Sequence, residues 1–278
     1  MGDIAQSAET IGRRVRHDSW MEWGIRFGFV VYGVVHLMVA WLALQLALGD
    51  GSGSANSKGA LTRLAHTTYG GILIWLVAIG MSFLVLWRLL DAALGHHEER
   101  DAGKRTRKRL VSLGKAVIYG VVALSAFRIA TSAGSGSGKK GGGTDDTTAT
   151  IMQWPGGQLI VGAIGLAVIA YGANLVRRAW TEKFREHLTA EGQSGDAGQA
   201  YIWAGKAGYT AKGVAFAVIG GLFVYAAVTH NAKKSGGLDV ALHKMLQQPY
   251  GAFLLGVVAV GIACYGVFCF ARARYLSS

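Results

Sequence analysis

Few side chains in this sequence could do chemistry, and four of them fall inside long apolar runs. His36 stands in "VVYGVVHLMVAW", where an ionisable group is costly and is therefore a functional candidate by default. As neutral imidazole it could relay a proton, bind a ligand or coordinate a metal. The plainer reading is a neutral core histidine bonded to a neighbouring helix. Lys212 aligns with Tyr32 and Tyr119 when the chain is compared with itself. Two phenols and one ammonium around an axis would suit an anionic group. The simpler alternative has Lys212 reaching the membrane interface while the tyrosines join an aromatic belt. His36, Tyr32, Tyr119 and Lys212 thus form a candidate intramembrane polar site. A haem held by two histidines would need a second His inside a span, and the sequence has none.

Other chemistry is harder to support. His96 and His97 are adjacent in "HHEERDAGKRTRKR" (96–109), so they point apart on a helix, and no further ligands stand at metal spacing. The basic run of that loop, Lys104, Arg105, Arg107, Lys108 and Arg109, abuts a span. It fits attraction to anionic lipid headgroups, about 1 kcal/mol per charge near the surface. The net charge of +12 accordingly reads as topology and lipid contact, not nucleic-acid binding. "AGSGSGKK" (133–140) fails the phosphate-loop pattern, which needs Gly where Ala133 stands and Ser or Thr where Lys140 stands. HExxH and GxSxG do not occur, and Asp91 is the one acid within a span, too few for a proton-driven pump. Cys264 and Cys269 lie five apart and face different sides of a helix, which argues against a disulfide or a CxxC site. No enzyme, metal centre or cofactor is expected.

The elements that must position the polar residues are membrane spans. Apolar residues make up 51% of the chain and charged ones 16%, against about 25% charged in soluble domains. There are 41 glycines and 2 prolines, and glycine is tolerated in transmembrane helices because it lets them approach closely. Six windows, 24–48, 69–92, 110–132, 156–178, 207–229 and 250–272, can cross a core of about 30 Å. Each reads as helix because lipid leaves backbone polar groups without partners. "GDGSGSANSKG" and "GSGSGKKGGGTDDTT" read as loops. The first twenty residues are polar and lack an apolar region with a cleavage site, so no signal peptide is expected.

The spans come in copies. Segments 26–36, 113–123 and 206–216 align through Gly33, Gly120 and Gly213. Segments 60–71, 148–157 and 241–252 align through Gly70, Gly157 and Gly251, with Thr68, Pro155 and Pro249 two residues ahead. Proline suits the first helical turn, where its missing N–H has no partner, so both prolines mark the start of an even span, with Thr68 as a cap in the first copy. Tyr171 and Tyr265 match Leu84, and with Asn174 they read as interhelical hydrogen-bonding groups. Gly157, Gly162, Gly165 and Gly172 on the fourth span read as close-packing faces, as do Gly251, Gly256, Gly261 and Gly266 on the sixth. Two spans per copy give all three copies one orientation, unlike inverted repeats. The expected fold is an all-α integral membrane protein of six helices, three parallel hairpins in a pseudo-threefold bundle. The repeats take residues 23–95, 110–180 and 201–275, joined by a tail at 1–22, the basic loop and a linker at 181–200.

Lysine and arginine are unevenly shared between the two sides. The N-terminal tail, the second and fourth loops, the C-terminal tail and their helix ends hold about 20 of the 28 basic residues. That asymmetry places both termini in the cytoplasm. Arg128, at the outer end of the third span, is expected to snorkel.

A pattern basic-x-Gly-aromatic-x-x-x-Gly recurs as Arg26, Gly28, Phe29, Gly33 and as Lys206, Gly208, Tyr209, Gly213. Gly59-Ala60-Leu61 and then Tyr-Gly or Pro-x-Gly precede the even spans. These features resemble the triplicated two-helix bacterial membrane family known as domain of unknown function 1206, over about residues 20–275. The middle copy departs from the pattern: Leu113 replaces the basic residue, Lys115 the first glycine, and "TDDTTATIM" the Ala-Leu box. The resemblance implies a six-span bacterial plasma-membrane protein and brings no activity with it. The expected function is that of a structural, accessory or interaction protein. The alternative is a pore or carrier for a small solute along the pseudo-threefold axis, using His36, Tyr32, Tyr119 and Lys212. Expected partners are a bilayer with anionic headgroups and an unidentified membrane protein.

Overall fold

The computed structural model describes residues 19–49, 55–65, 67, 69–94, 101–132 and 144–276. Among them the α-helices are α1 (Ser19–Ala47), α2 (Ser57–Ala65), α3 (Gly70–Leu94), α4 (Ala102–Ser132), α5 (Thr144–Met152), α6 (Gly157–Trp180), α7 (Gly195–Val228), α8 (Leu238–Leu246) and α9 (Gly251–Arg274). Helices α1, α3, α4, α6, α7 and α9 are long and apolar enough to cross a membrane. Each contains one of the six expected windows to within a residue at either end.

Two stretches read as loops are partly helical, for a local reason. Asn56 accepts the Gly59 N–H at 2.8 Å, an N-cap that starts α2 inside the Gly/Ser-rich segment. Threonines and aspartates of the second segment begin α5. The loop expected at 96–109 also ends early. Asp101 Oδ1 accepts the N–H groups of Gly103 at 2.9 Å and Lys104 at 3.2 Å, so the basic run forms the first turns of α4. That carboxylate also offsets the repulsion between cations and the positive helix N-terminus. His96, His97 and residues 133–140 lie outside the described residues.

The prolines are not in the first helical turn. Gly157 N–H donates to Trp154 O at 2.8 Å and Gly251 N–H to Gln248 O at 2.8 Å. Between those ends stand Pro155 followed by Gly156 (φ 74°, ψ 9°) and Pro249 followed by Tyr250 (φ 58°, ψ 21°). Each is a turn of type II shape, with proline at the second position and a left-handed residue at the third. The turn reverses the short helix into the span, so the span starts two residues later than proline alone suggests. In the first copy Gly70 N–H donates to Thr67 O at 2.8 Å; Thr68 lies outside the described residues. A Cβ at Gly70, Gly157 or Gly251 would collide with the carbonyl of Ala65, Ile151 or Leu246 respectively, which is why glycine recurs there. The box before each turn is a buried anchor: Ala60, Leu61, Ala241 and Leu242 are each 0% exposed, and Thr148 fills the matching place in α5 at 2%.

The chain divides into two compact units. One holds α1 up to Tyr32, with α3, α4 and Arg272–Arg274. Its α1–α3 crossing is set by Gly28, where a methyl group would lie 2.6 Å from Gly80 O. Phe29 meets Trp87 edge-on at 5.6 Å between ring centroids. Arg26 donates to the Arg274 carbonyl at 2.8 Å, satisfying a helix-end acceptor, while Glu22 holds its other side at 2.6 Å.

The other unit holds the rest of α1, with α5, α6, α7, α8 and α9 up to Ala271. Helices α6 and α7 cross backbone to backbone: a methyl at Gly172 would stand 2.6 Å from Gly213 O, and one at Gly165 2.8 Å from Gly220 O. The Gly33 position lies 2.9 Å from Gly266 O by the same measure, and Gly208 lies 2.6 Å from Tyr265 Cα. Every glycine of the recurring pattern, Gly28, Gly33, Gly208 and Gly213, is therefore a helix-crossing point. The middle copy keeps Gly120 in this register without a crossing: no side chain or foreign backbone among the described residues would come within 4 Å of a methyl added there. Gly162 and Gly256 are likewise loose, the first 3.6 Å from Ala227 Cβ and the second open.

Gly172→Ala is expected to lower stability by about 1–3 kcal/mol through overpacking, measured by thermal unfolding in detergent. Gly256→Ala should be neutral or stabilising by up to about 1 kcal/mol, because alanine is the better helix former.

Candidate functional site

The glycine crossings of the larger unit bring three polar side chains together. Gly33 sits three residues before His36 and crosses α9 beside Tyr265. Gly208 sits four residues before Lys212 and crosses the same helix at Tyr265 itself. Positions three and four apart share a helix face, so His36 and Lys212 are delivered onto one point of α9. Lys212 Nζ lies 3.3 Å from His36 Nε2 and 3.8 Å from the centroid of the Tyr265 ring. The His36 and Tyr265 rings are 4.9 Å apart, and Tyr209 meets Tyr265 edge-on at 5.4 Å.

The chemistry of this trio follows from the donor inventory. A lysine ammonium only donates, so His36 must offer a lone pair at Nε2 and carry its proton on Nδ1. The Tyr265 ring face supplies further attraction to the cation. Two bases 3.3 Å apart can also pass one proton between them. His36 and Lys212 are both half-buried.

Tyr32 and Tyr119 belong to the smaller unit. Their rings meet edge to face at 5.0 Å and 77°, and both are buried. The four predicted side chains are thus two pairs, one in each unit. Among the residues read as interhelical glue, Tyr171 packs edge-on against Phe216 at 5.1 Å. Asn174 instead accepts from Arg177, within its own helix, at 3.1 Å. Arg128 is exposed, as are Lys104 and Lys108; Arg105 and Arg109 are half-buried, and the Arg107 side chain lies outside the described residues.

A second polar cluster, in the smaller unit, went unread in the sequence. Arg88 and Arg272 are each 5% exposed. Arg88 donates to Asp91 Oδ2 at 3.1 Å, and Ser112 donates to the same oxygen at 2.8 Å. The Arg88 guanidinium lies 3.8 Å from the Trp87 ring centroid, and that of Arg272 lies 4.3 Å from Phe29 and 5.8 Å from Trp87. Nε and Nη2 of Arg88 and Nε of Arg272 are buried without an acceptor, a state that costs about 1–3 kcal/mol for each such group. As charges near span ends the two arginines look like ordinary orientation signals. The available clue was the repeat register, which puts Asp91 opposite Arg178 and Arg272, an acid in one copy where the others have a base.

A triplicated pair of apolar helices, closed by glycine crossings and carrying a few buried polar groups, defines a multi-span helical membrane protein. The chain belongs to the family described as Domain of Unknown Function (DUF1206), whose model matches residues 27–95, 110–182 and 207–276. It is also similar to the "Uncharacterized protein YxxB" of Bacillus subtilis (strain 168), 26% identical over 258 residues, covering 92% of this chain and 91% of that protein. No solved structure matches.

If Lys212 and His36 share one contact, their substitutions are not additive. Lys212→Met and His36→Leu, alone and together, are expected to show a coupling of about 0.5–3 kcal/mol in detergent unfolding. Simple additivity would remove the pair from the structure's energetics.

Proposed function

We propose that this chain is a structural or accessory protein of the bacterial plasma membrane, with both termini in the cytoplasm, that docks another membrane protein and catalyses no reaction. The observation that carries the reading is how the Lys212 ammonium is placed, 3.3 Å from His36 and 3.8 Å from the Tyr265 ring centroid. Its charge is used on the protein's own side chains, as glue between α1, α7 and α9. Tyr32 and Tyr119 are used the same way, ring edge on ring face. The backbone crossings at Gly165 and Gly172 support a rigid frame, which suits docking better than a cycle of large motions. The basic first turns of α4 add contact with anionic headgroups, at about 1 kcal/mol per charge near the surface.

A second reading, a carrier or pore for a small solute, is favoured by one observation. His36 and Lys212 keep part of their surface uncovered, and a Lys–His pair can hand on a proton or hold an anion. Proteoliposomes decide between the two. Proton, potassium and chloride flux above that of empty vesicles is expected to be absent and unchanged in His36→Ala. Flux that falls tenfold or more in His36→Ala and Lys212→Met would replace the docking reading with the carrier one. Cross-linking in native membranes should then recover a membrane protein in fixed ratio to this chain.

Topology is tested separately. Alkaline phosphatase fused after Ser278 is expected to be inactive, and the same enzyme inserted at residue 52 active; the reverse pattern would invert the orientation.

A further inference from the structure

The Arg88–Arg272 cluster differs in kind from the Lys212–His36 pair, because its donors exceed its acceptors. Of the two guanidinium groups, each 5% exposed, Arg88 has a carboxylate, and the oxygen it meets also takes Ser112. Three buried N–H-bearing nitrogens, Nε and Nη2 of Arg88 and Nε of Arg272, are left over. The two guanidinium groups also repel each other. The aromatic rings do not answer this demand. Trp87 and Phe29 meet the guanidinium carbons at 3.8 and 4.3 Å, and a ring attracts a cation over its face without accepting the in-plane hydrogens of a planar fork. What would satisfy the cluster is a group with several anionic oxygens that can accept from two forks at once, as a phosphate does.

Position supports the same chemistry. Arg272 stands two residues before the end of α9 and Arg88 six before the end of α3, roughly 3 and 9 Å along their axes at 1.5 Å per residue. That is the depth at which a span leaves the hydrocarbon and meets headgroup phosphates. The cluster is also distinct from the basic run of α4, where Lys104 and Lys108 are exposed and can attract headgroups only diffusely.

We propose that Arg88 and Arg272, backed by Trp87 and Phe29, form a phosphate-binding site, taking either the phosphodiester of an anionic lipid or a free phosphate group. Asp91 and Ser112 orient Arg88 from behind and leave its Nε and Nη2 for the ligand. Arg272, with no carboxylate partner among the described residues, supplies the excess positive charge.

The test uses the full chain purified in dodecyl maltoside, with thermal unfolding as the readout. The probes are dioleoylphosphatidylglycerol and inorganic phosphate, with dioleoylphosphatidylcholine and chloride as controls. At least one probe is expected to raise the unfolding midpoint saturably. Arg272→Gln should weaken that probe's apparent affinity tenfold or more, and Arg105→Gln/Lys108→Gln should weaken it by a smaller factor. A shift with phosphatidylglycerol alone identifies a lipid site, and a shift with inorganic phosphate identifies a site for free phosphate. Arg272→Lys keeps the charge and loses the fork, so it carries the test if the glutamine variant does not fold, and it too should weaken binding tenfold. The proposal is overturned if neither probe shifts the wild-type midpoint. It is equally overturned if the Arg272 variant that folds binds as the wild type does, or if only the α4 charges matter.

Discussion

In hydrocarbon, two helices gain little by hiding leucine against leucine, because the lipid tails are as apolar as the side chains. Dispersion at short range and the removal of side chains between backbones must supply the attraction instead. The structure places its closest helix contacts where glycine permits backbone to meet backbone: Gly28 on Gly80, Gly33 on Gly266, and Gly165 and Gly172 on Gly220 and Gly213. Two of these crossings arrange the His36, Lys212 and Tyr265 trio. His36 reaches Lys212 only because α1 and α7 are both drawn against α9 within a residue of Tyr265.

The second recurring device is the aromatic face as a seat for a cation. Lys212 lies over Tyr265, Arg88 over Trp87 and Arg272 over Phe29, while Lys206 sits 5.5 and 5.3 Å from Trp180 and Trp203. Lys206 also has a carboxylate, Glu182 at 3.2 Å, and Arg88 has Asp91. A carboxylate in a span would bring its own desolvation cost, whereas a ring brings attraction without a second charge. This explains how a chain with one acid in its six expected windows can bury several bases. It also explains why Arg88 and Arg272 keep unused donors at their edges.

Much of the frame was legible in the residues. The spans follow from apolar length, and the three copies from glycines that hold one register. The short helices α2 and α5 were hidden because glycine and serine normally disfavour helix. Asn56 as a cap and a buried Ala-Leu pair outweigh that propensity, and propensity differences are only about 1 kcal/mol per residue. Pro155 was read as a helix start because both a first turn and a type II turn accept proline; the left-handed Gly156 and Tyr250, which decide between them, are visible only in the backbone. The candidate site was half legible. His36 and Lys212 stood out as polar residues in apolar runs, but Tyr265 as their third member depends on two crossings. Arg88 and Arg272 were invisible as a pair, since their charges already had a reason to be at span ends.

The three copies diverge unevenly, and the unevenness separates frame from chemistry. Glycine is kept at Gly70, Gly157 and Gly251, where any side chain would strike the preceding short helix. It is kept at Gly28 and Gly208 where helices cross and replaced by Lys115 on α4, while the middle copy still keeps Gly120, which faces open space. The polar positions follow no such rule: His36 aligns with Ala123 and Phe216, Lys212 with Tyr32 and Tyr119, and Asp91 with Arg178 and Arg272. A frame under purely steric constraint would drift toward apolar residues at those places, because each buried ion costs several kcal/mol of desolvation. The chain instead keeps two different clusters, each built around residues of the first and third copies, with Ser112 of the middle copy joining the second. Triplication therefore accounts for the scaffold alone, and the chemistry of this protein lies in the residues that break the repeat.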